Sequence, residues 1–143
     1  PQEAAESLGP FLEKADTVVC GISEAVLLFD TDPEPQRAMD QLSSRFGIET
    51  VVVTAGERGV HWLDGDASGH QSAFPVEIID RLGAGDALVA GIIDGLLDGD
   101  LETGVERGAA MAAVALTTRG DAISLTRGEL EALVGAQNGD VDR

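Results

Sequence analysis

The run Val51-Val52-Val53 narrows the fold of this chain more than any other stretch. Three consecutive β-branched residues favour an extended backbone, and a strand apolar on both faces has to be covered on both. The run sits in a strand predicted over Glu49 to Thr54. Before it lies a helix-length segment that Pro35 opens, that runs to about Phe46 and that Gly47 stops. Thr17-Val18-Val19-Cys20 reads as a second short buried strand. A helix from Glu3 to Ala15 precedes it, with Leu8, Phe11, Leu12 and Ala15 on one face. Buried strands alternating with helices predict an α/β fold, a sheet with covering helices.

The remaining segments extend that pattern. Ser23 reads as the N-cap of a short helix, Glu24 to Phe29, and Asp30 to Pro35 as a loop. Ala55 to Gly59 is a turn, Val60 to Leu63 a strand, and Asp64 to Gly69 a hairpin-like loop. Gln71 to Ile79 alternates and predicts another strand, at an edge because Pro75 interrupts it. An apolar helix follows Gly83-Ala84-Gly85-Asp86 and runs to Leu97; a second covers Glu102 to Leu116. Thr126-Arg127-Gly128-Glu129 has the form of a capping box for a last helix ending near Val134. No linker divides residues 1–136, and 137–143 reads as a frayed tail.

Charge excludes whole classes of partner. Nine basic residues face 26 acidic ones, for a net charge of −17, and Lys14 is the only lysine. Such a field repels nucleic acid and anionic membranes. Because the acid is spread along the chain, it is expected to coat a solvated surface, as in a halophilic, salt-loaded cytoplasm. Cys20 stands alone, so no internal disulfide forms and a reducing, cytoplasmic setting is expected. No apolar run approaches the roughly 20 residues of a membrane span. The first residue is Pro1 and not Met, which suggests a piece of something larger.

The chemistry centres on Gly83-Ala84-Gly85-Asp86. The first turn of a helix has unpartnered N–H groups at the positive end of the helix dipole, and glycine lets a ligand come close to the backbone. That makes an anion cradle, suited to phosphate or to the charge of phosphoryl transfer. Asp86 within it either serves the helix dipole or takes a proton from an attacking hydroxyl. Thr54-Ala55-Gly56-Glu57-Arg58-Gly59 is either a tight turn into a hairpin or a strand-end phosphate site, with the Thr54 hydroxyl and the Gly56 and Gly59 backbone available. Glu24 is either a dipole partner for its helix or a water-mediated Mg²⁺ contact. His61 in a strand and His70 in a loop belong to no evident ligand cluster, and Cys20 reads as core. Neither a G-x-x-x-x-G-K-[ST] nor a G-x-G-x-x-G sequence is present.

Taken together, these segments resemble the PfkB, or ribokinase-like, family of carbohydrate kinases. Asp80-Arg81-Leu82-Gly83-Ala84-Gly85-Asp86-Ala87 with Ala90-Gly91 resembles the family's C-terminal signature. Thr54 to Val60 resembles its nucleotide turn, and Ala15-Asp16 with Glu24-Ala25 its segment ending in the metal-associated glutamate. The resemblance covers nearly the whole chain but only the C-terminal, nucleotide-binding half of the family's fold. It implies an ATP- and Mg²⁺-dependent phosphotransferase acting on a hydroxyl of a sugar or sugar acid. Asp86 is then the base, and the Gly83, Ala84, Gly85 and Asp86 amides form the anion hole. Thr54, Gly56 and Gly59 line the nucleotide phosphates, and the helix at Ala109 and Ala113 flanks the adenine. Glu24 belongs to the Mg²⁺ network, and a monovalent cation such as K⁺ lies near Asp80. The sequence departs from the family in having Gly21 where asparagine is common, and Arg81-Leu82 before the glycines. Arg81 faces either a phosphate or a substrate carboxylate, or pairs with surface acid. With Leu116 to Asp121, it makes the chain look most like 2-keto-3-deoxygluconate kinases. A nucleoside kinase, or a nucleotide-binding module inactive without its other half, are the alternatives. The oligomeric state stays open, a homo-oligomer included.

Overall fold

The computed structural model describes residues 1–141, which form two compact units meeting between Ser72 and Ala73. No shift in composition marks this boundary, which is why the sequence reads as one unit.

The first unit contains α1 (Gln2–Leu12), β1 (Thr17–Gly21), α2 (Ile22–Phe29), α3 (Pro35–Phe46), β2 (Thr50–Thr54), β3 (Val60–Asp64) and β4 (Ala67–Gln71). A single 3-10 turn, Gly56–Arg58, joins β2 to β3. The strands lie in the order β1-β2-β3-β4. β1 and β2 are parallel, with Val18 opposite Val51 and Gly21 opposite Thr54, and the other pairs are antiparallel. A parallel pair needs a crossover, which α2 and α3 supply. Val51, Val52 and Val53 are fully buried. Val51 and Val53 share a core with Ala25, Met39, Leu42, Ile48 and Leu63.

Pro35 opens α3 and left-handed Gly47 closes it, as the sequence predicts. The apolar face expected on α1 is only partly used: Leu12 packs on the core, whereas Phe11 stays 75% exposed. The N-cap of α2 is Gly21 and not Ser23, because the Glu24 carboxylate folds back to accept the Gly21 N–H at 2.8 Å. The expected hairpin loop is only the two-residue turn Gly65-Asp66, so Ala67–Gln71 is a strand and His70 lies within it. Gln71 to Ile79 is consequently not a strand. It is irregular after Gln71, and the Ile79 and Asp80 amides turn instead to the Leu116 carbonyl, at 2.8 and 3.2 Å.

The second unit contains α4 (Ala84–Asp98), α5 (Leu101–Leu116) and α6 (Arg127–Val141). Gly91 and Gly95 on α4 face Gly104 and Gly108 on α5, and these bare backbones touch: a Cβ on Gly104 would come within 2.9 Å of the Gly95 Cα. Small residues one turn apart permit that approach. Asp94 receives Arg107 from α5 at 2.8 Å and both Arg127 nitrogens from α6 at 2.7 Å. At the start of α6 the capping box is in place, with Thr126 donating to Glu129 through its amide and hydroxyl. The helix continues past the expected end at Val134 to Val141, since Gly135 alone does not stop it. Of the expected frayed tail, 137–141 is helical, and 142–143 lies outside the described residues.

Candidate active site

The chemistry-bearing residues fall into one group in each unit. In the second unit, Gly83 caps α4 in the left-handed region at φ 77°. It also lies against the chain after α5, so that a Cβ would stand 2.6 Å from the Asp121 carbonyl oxygen. Both facts demand glycine. A glycine cap has no side chain to offer, and no side chain caps the first turn of α4. By contrast, Glu34, Asp100 and Thr126 accept first-turn amides of α3, α5 and α6. The first-turn amides of α4 thus have no side-chain cap. At Gly85 a Cβ would meet nothing within 4 Å, so packing within the chain does not require glycine there. A closely approaching phosphate would require it, so the residues present fit an anionic ligand. Asp86 is exposed in the first turn of the helix.

Asp80 braces this turn. Its carboxylate accepts the Leu82 N–H at 3.2 Å and the Gly120 N–H at 3.3 Å. It thereby ties the segment entering the cradle to the loop that Gly83 packs against. The sequence reading had given Asp80 only to a monovalent cation; the bracing role rests on Gly120, too far along the chain to be read locally. These backbone donors hold the Asp80 carboxyl below its ordinary range, with the Leu82 amide contributing most. A carboxyl with a depressed folded value stabilises above its unfolded value and loses that contribution as pH falls through the folded one. Acidification below the ordinary carboxylate value of about 4 is therefore expected to lower the protection of the Leu82 and Gly120 amides against exchange, measured relative to the intrinsic rate at each pH. In Asp80→Asn the two amides should already be less protected at neutral pH, and their protection should change little on acidification.

Arg81 is exposed, and its guanidinium forms no ion pair among the described residues. The alternative of a surface arginine paired with acid is therefore not what the structure shows. Ala109 and Ala113 lie on one face of α5 and are 7 and 8% exposed, so they present little surface to a ligand.

In the first unit, β1 and β2 end side by side. A Cβ on Gly21 would lie 3.3 Å from Glu24 Oε2 and 3.6 Å from Thr54 Oγ1. The Glu24 carboxylate and the Thr54 hydroxyl thus converge at the carboxyl ends of two parallel strands, where α/β sheets bind ligands. One oxygen of Glu24 is engaged by the Gly21 amide. No group of three or more His, Cys, Asp or Glu side chains assembles a metal site among the described residues. That donor set fits a cation held largely through water, as Mg²⁺ is. Past Thr54 the chain turns through Gly56 at φ 60° and Gly59 at φ 85°. Cys20, behind this strand end, has its thiol pushed up to about 11 by burial, then by the nearby Glu24, so it stays protonated and inert.

A groove of about 730 Å³ in the first unit is lined by α1, α2 and the end of α3, and none of the strand-end residues lines it. Its one arginine, Arg45, donates to the Phe29 carbonyl and stacks on Phe46. The residues singled out from the sequence therefore lie at the strand ends and not in this groove. Sequence reasoning also missed the pairing of His61 with His70, whose rings lie 4.4 Å apart. The signal was there: two histidines nine apart, either side of the turn at Gly65-Asp66.

The profile of the pfkB family carbohydrate kinases matches residues 1–128. A 2-dehydro-3-deoxygalactonokinase of Haloferax volcanii, a halophilic archaeon, is 32% identical over 143 residues, covering 99% of this chain and 44% of that protein. Two solved structures are similar. The 2-dehydro-3-deoxygluconokinase of Thermotoga maritima matches with a TM-score of 0.82 at 22% identity, over 93% of this chain and 45% of that one. An Escherichia coli protein assigned as ribokinase II, solved with ATP and Mg²⁺, matches with a TM-score of 0.81 at 27% identity, over 94% of this chain and 44% of that one. The chain thus spans less than half the length of these relatives.

Proposed function

The chain belongs to the pfkB family of carbohydrate kinases, and we propose that it is the nucleotide-binding and catalytic portion of a kinase for a 2-keto-3-deoxy sugar acid. The observation that carries this reading is the uncapped start of α4, with Gly83 forced by the Asp121 carbonyl and Gly85 open to a ligand. In this reading each of the two groups of residues has its own part in the reaction. ATP supplies the γ-phosphoryl group, and Mg²⁺ neutralises its charge. Asp86 removes the proton from the acceptor hydroxyl as that oxygen attacks phosphorus. The Gly83, Ala84, Gly85 and Asp86 backbone answers the charge that develops on the phosphoryl oxygens. Thr54, Gly56 and Gly59 hold the nucleotide phosphates, Glu24 orients metal-bound water, and the helix that carries the buried Ala109 and Ala113 flanks the adenine. Asp80 contributes to a K⁺ site alongside its bracing role. Positioning and charge stabilisation carry more of the rate than proton transfer.

Arg81 is the substrate-selecting residue in this reading, an unpaired guanidinium beside the cradle that meets the acceptor's carboxylate. The acidic coat fits a halophilic cytoplasm, and a homo-oligomer is compatible with it. This chain alone is proposed to lack turnover, so the test uses the complete protein. Presented with 2-keto-3-deoxygluconate, 2-keto-3-deoxygalactonate, ribose, fructose and adenosine, it should favour the two acids. Arg81→Gln should raise KM for the acids by about 10- to 100-fold, the range of a charge-assisted hydrogen bond, and leave the neutral acceptors unchanged. Preference for adenosine would instead make the protein a nucleoside kinase.

A further inference from the structure

The Ala55–Gly59 turn closes on itself. The Ala55 amide donates to the Gly59 carbonyl at 2.9 Å, Gly59 to Gly56 at 3.0 Å and Arg58 to Ala55 at 3.2 Å. Gly56 and Gly59 both stand at positive φ, and neither has a side chain to restrict its backbone. A side chain ties it to the outer hairpin: His70 Nε2 lies 2.6 Å from the Arg58 carbonyl oxygen. A carbonyl only accepts, so the His70 ring carries its proton on Nε2 and donates it. The bond is at the short end for N–H···O.

His70 is itself held. It stands opposite His61 in the β3–β4 register, and the rings stack at 4.4 Å with a 40° tilt. His61 is kept from charging, first by burial and then by His70, with Arg58 adding to the effect and Glu34 opposing it. A neutral His61 lets the two rings stay in contact without repulsion.

We propose that His70, held in place by His61, is a positioning residue for the nucleotide: it fixes the Arg58 carbonyl and so the Gly56–Gly59 backbone that meets the phosphates. This rests on reading Thr54–Gly59 as the nucleotide turn. His70→Phe keeps a flat ring against His61 and loses the donor. His70→Gln places an amide nitrogen the same number of bonds from Cα and restores it. In the complete protein, titrated with ATP, His70→Phe should weaken binding about five- to tenfold, roughly one hydrogen bond, and His70→Gln should recover most of it. KM for the sugar acceptor should not move. Amide exchange at Arg58 and Gly59, read without nucleotide, should rise in His70→Phe and fall back in His70→Gln. Wild-type protein that binds ATP together with a His70→Phe variant that binds it equally well, or exchanges no faster, would overturn the positioning role and leave the nucleotide reading standing. Wild-type protein that binds no ATP would overturn both.

Discussion

Asp86→Asn in the complete enzyme should fold, bind ATP about as well as wild type, and lose turnover by about 10²- to 10⁴-fold, the contribution of a positioned general base. The expectation of normal folding comes from the structure. Asp86 is exposed, no side chain caps α4, and the helix is seated by Gly83 and its glycine seam with α5. Asparagine keeps the size and the polarity and removes the charge and with it the ability to take a proton. The loss should therefore appear in kcat, with KM for ATP and thermal stability little changed. A Michaelis analysis beside a thermal melt checks both halves of the expectation. Equal losses in stability and turnover would place Asp86 among the residues that hold the fold.

Gly95→Val should have the largest effect on stability. On α4, Gly95 faces the Gly104 backbone and the Asp100 carbonyl with no room for a Cβ, and Gly91 meets Gly108 in the same way. Neither neighbour is the tip of a flexible side chain, so the helices would have to separate. Overpacking of this kind costs about 3 kcal/mol or more. In a unit of this size that lowers the melting temperature by on the order of 10 °C. Gly85→Ala is the internal control. A Cβ there meets open space, so its melting temperature should stay near wild type while the cradle is obstructed.

Local signals carried much of the fold. The Val51–Val53 strand, the Gly47 stop, the Thr126–Glu129 box and the helix starting after Gly83 each depend on neighbours within a turn or two, so the sequence reveals them. What depends on pairing was not legible. Ala67-Ser68-Gly69-His70-Gln71 has little intrinsic β preference and becomes a strand because β3 offers it an edge. The same register brings His70 beside His61. The cap of α2 went to Gly21 over Ser23 because a carboxylate three residues on can bond back to a bare amide, which competes with a local hydroxyl. In the candidate site, the glycine-rich helix start at Gly83–Asp86 was legible because it lies in consecutive residues. The roles of Asp121 and Gly120 behind it were not, since both arrive from the loop after α5. The glycine seam was written plainly as Gly91-x-x-x-Gly95 and Gly104-x-x-x-Gly108, but its meaning depends on the two helices facing each other.

Whether the α4 start is a phosphoryl-transfer site is decided by acceptor-dependent transfer of the γ-phosphate of ATP. With radiolabelled ATP and a 2-keto-3-deoxy sugar acid, the complete protein should move label into the acid and form one ADP per phosphorylated product. Without an acceptor, it should release ADP only at a small fraction of that rate. ATP that binds but yields ADP at the same rate with and without acceptor, or label that never reaches an acceptor hydroxyl, would contradict the account.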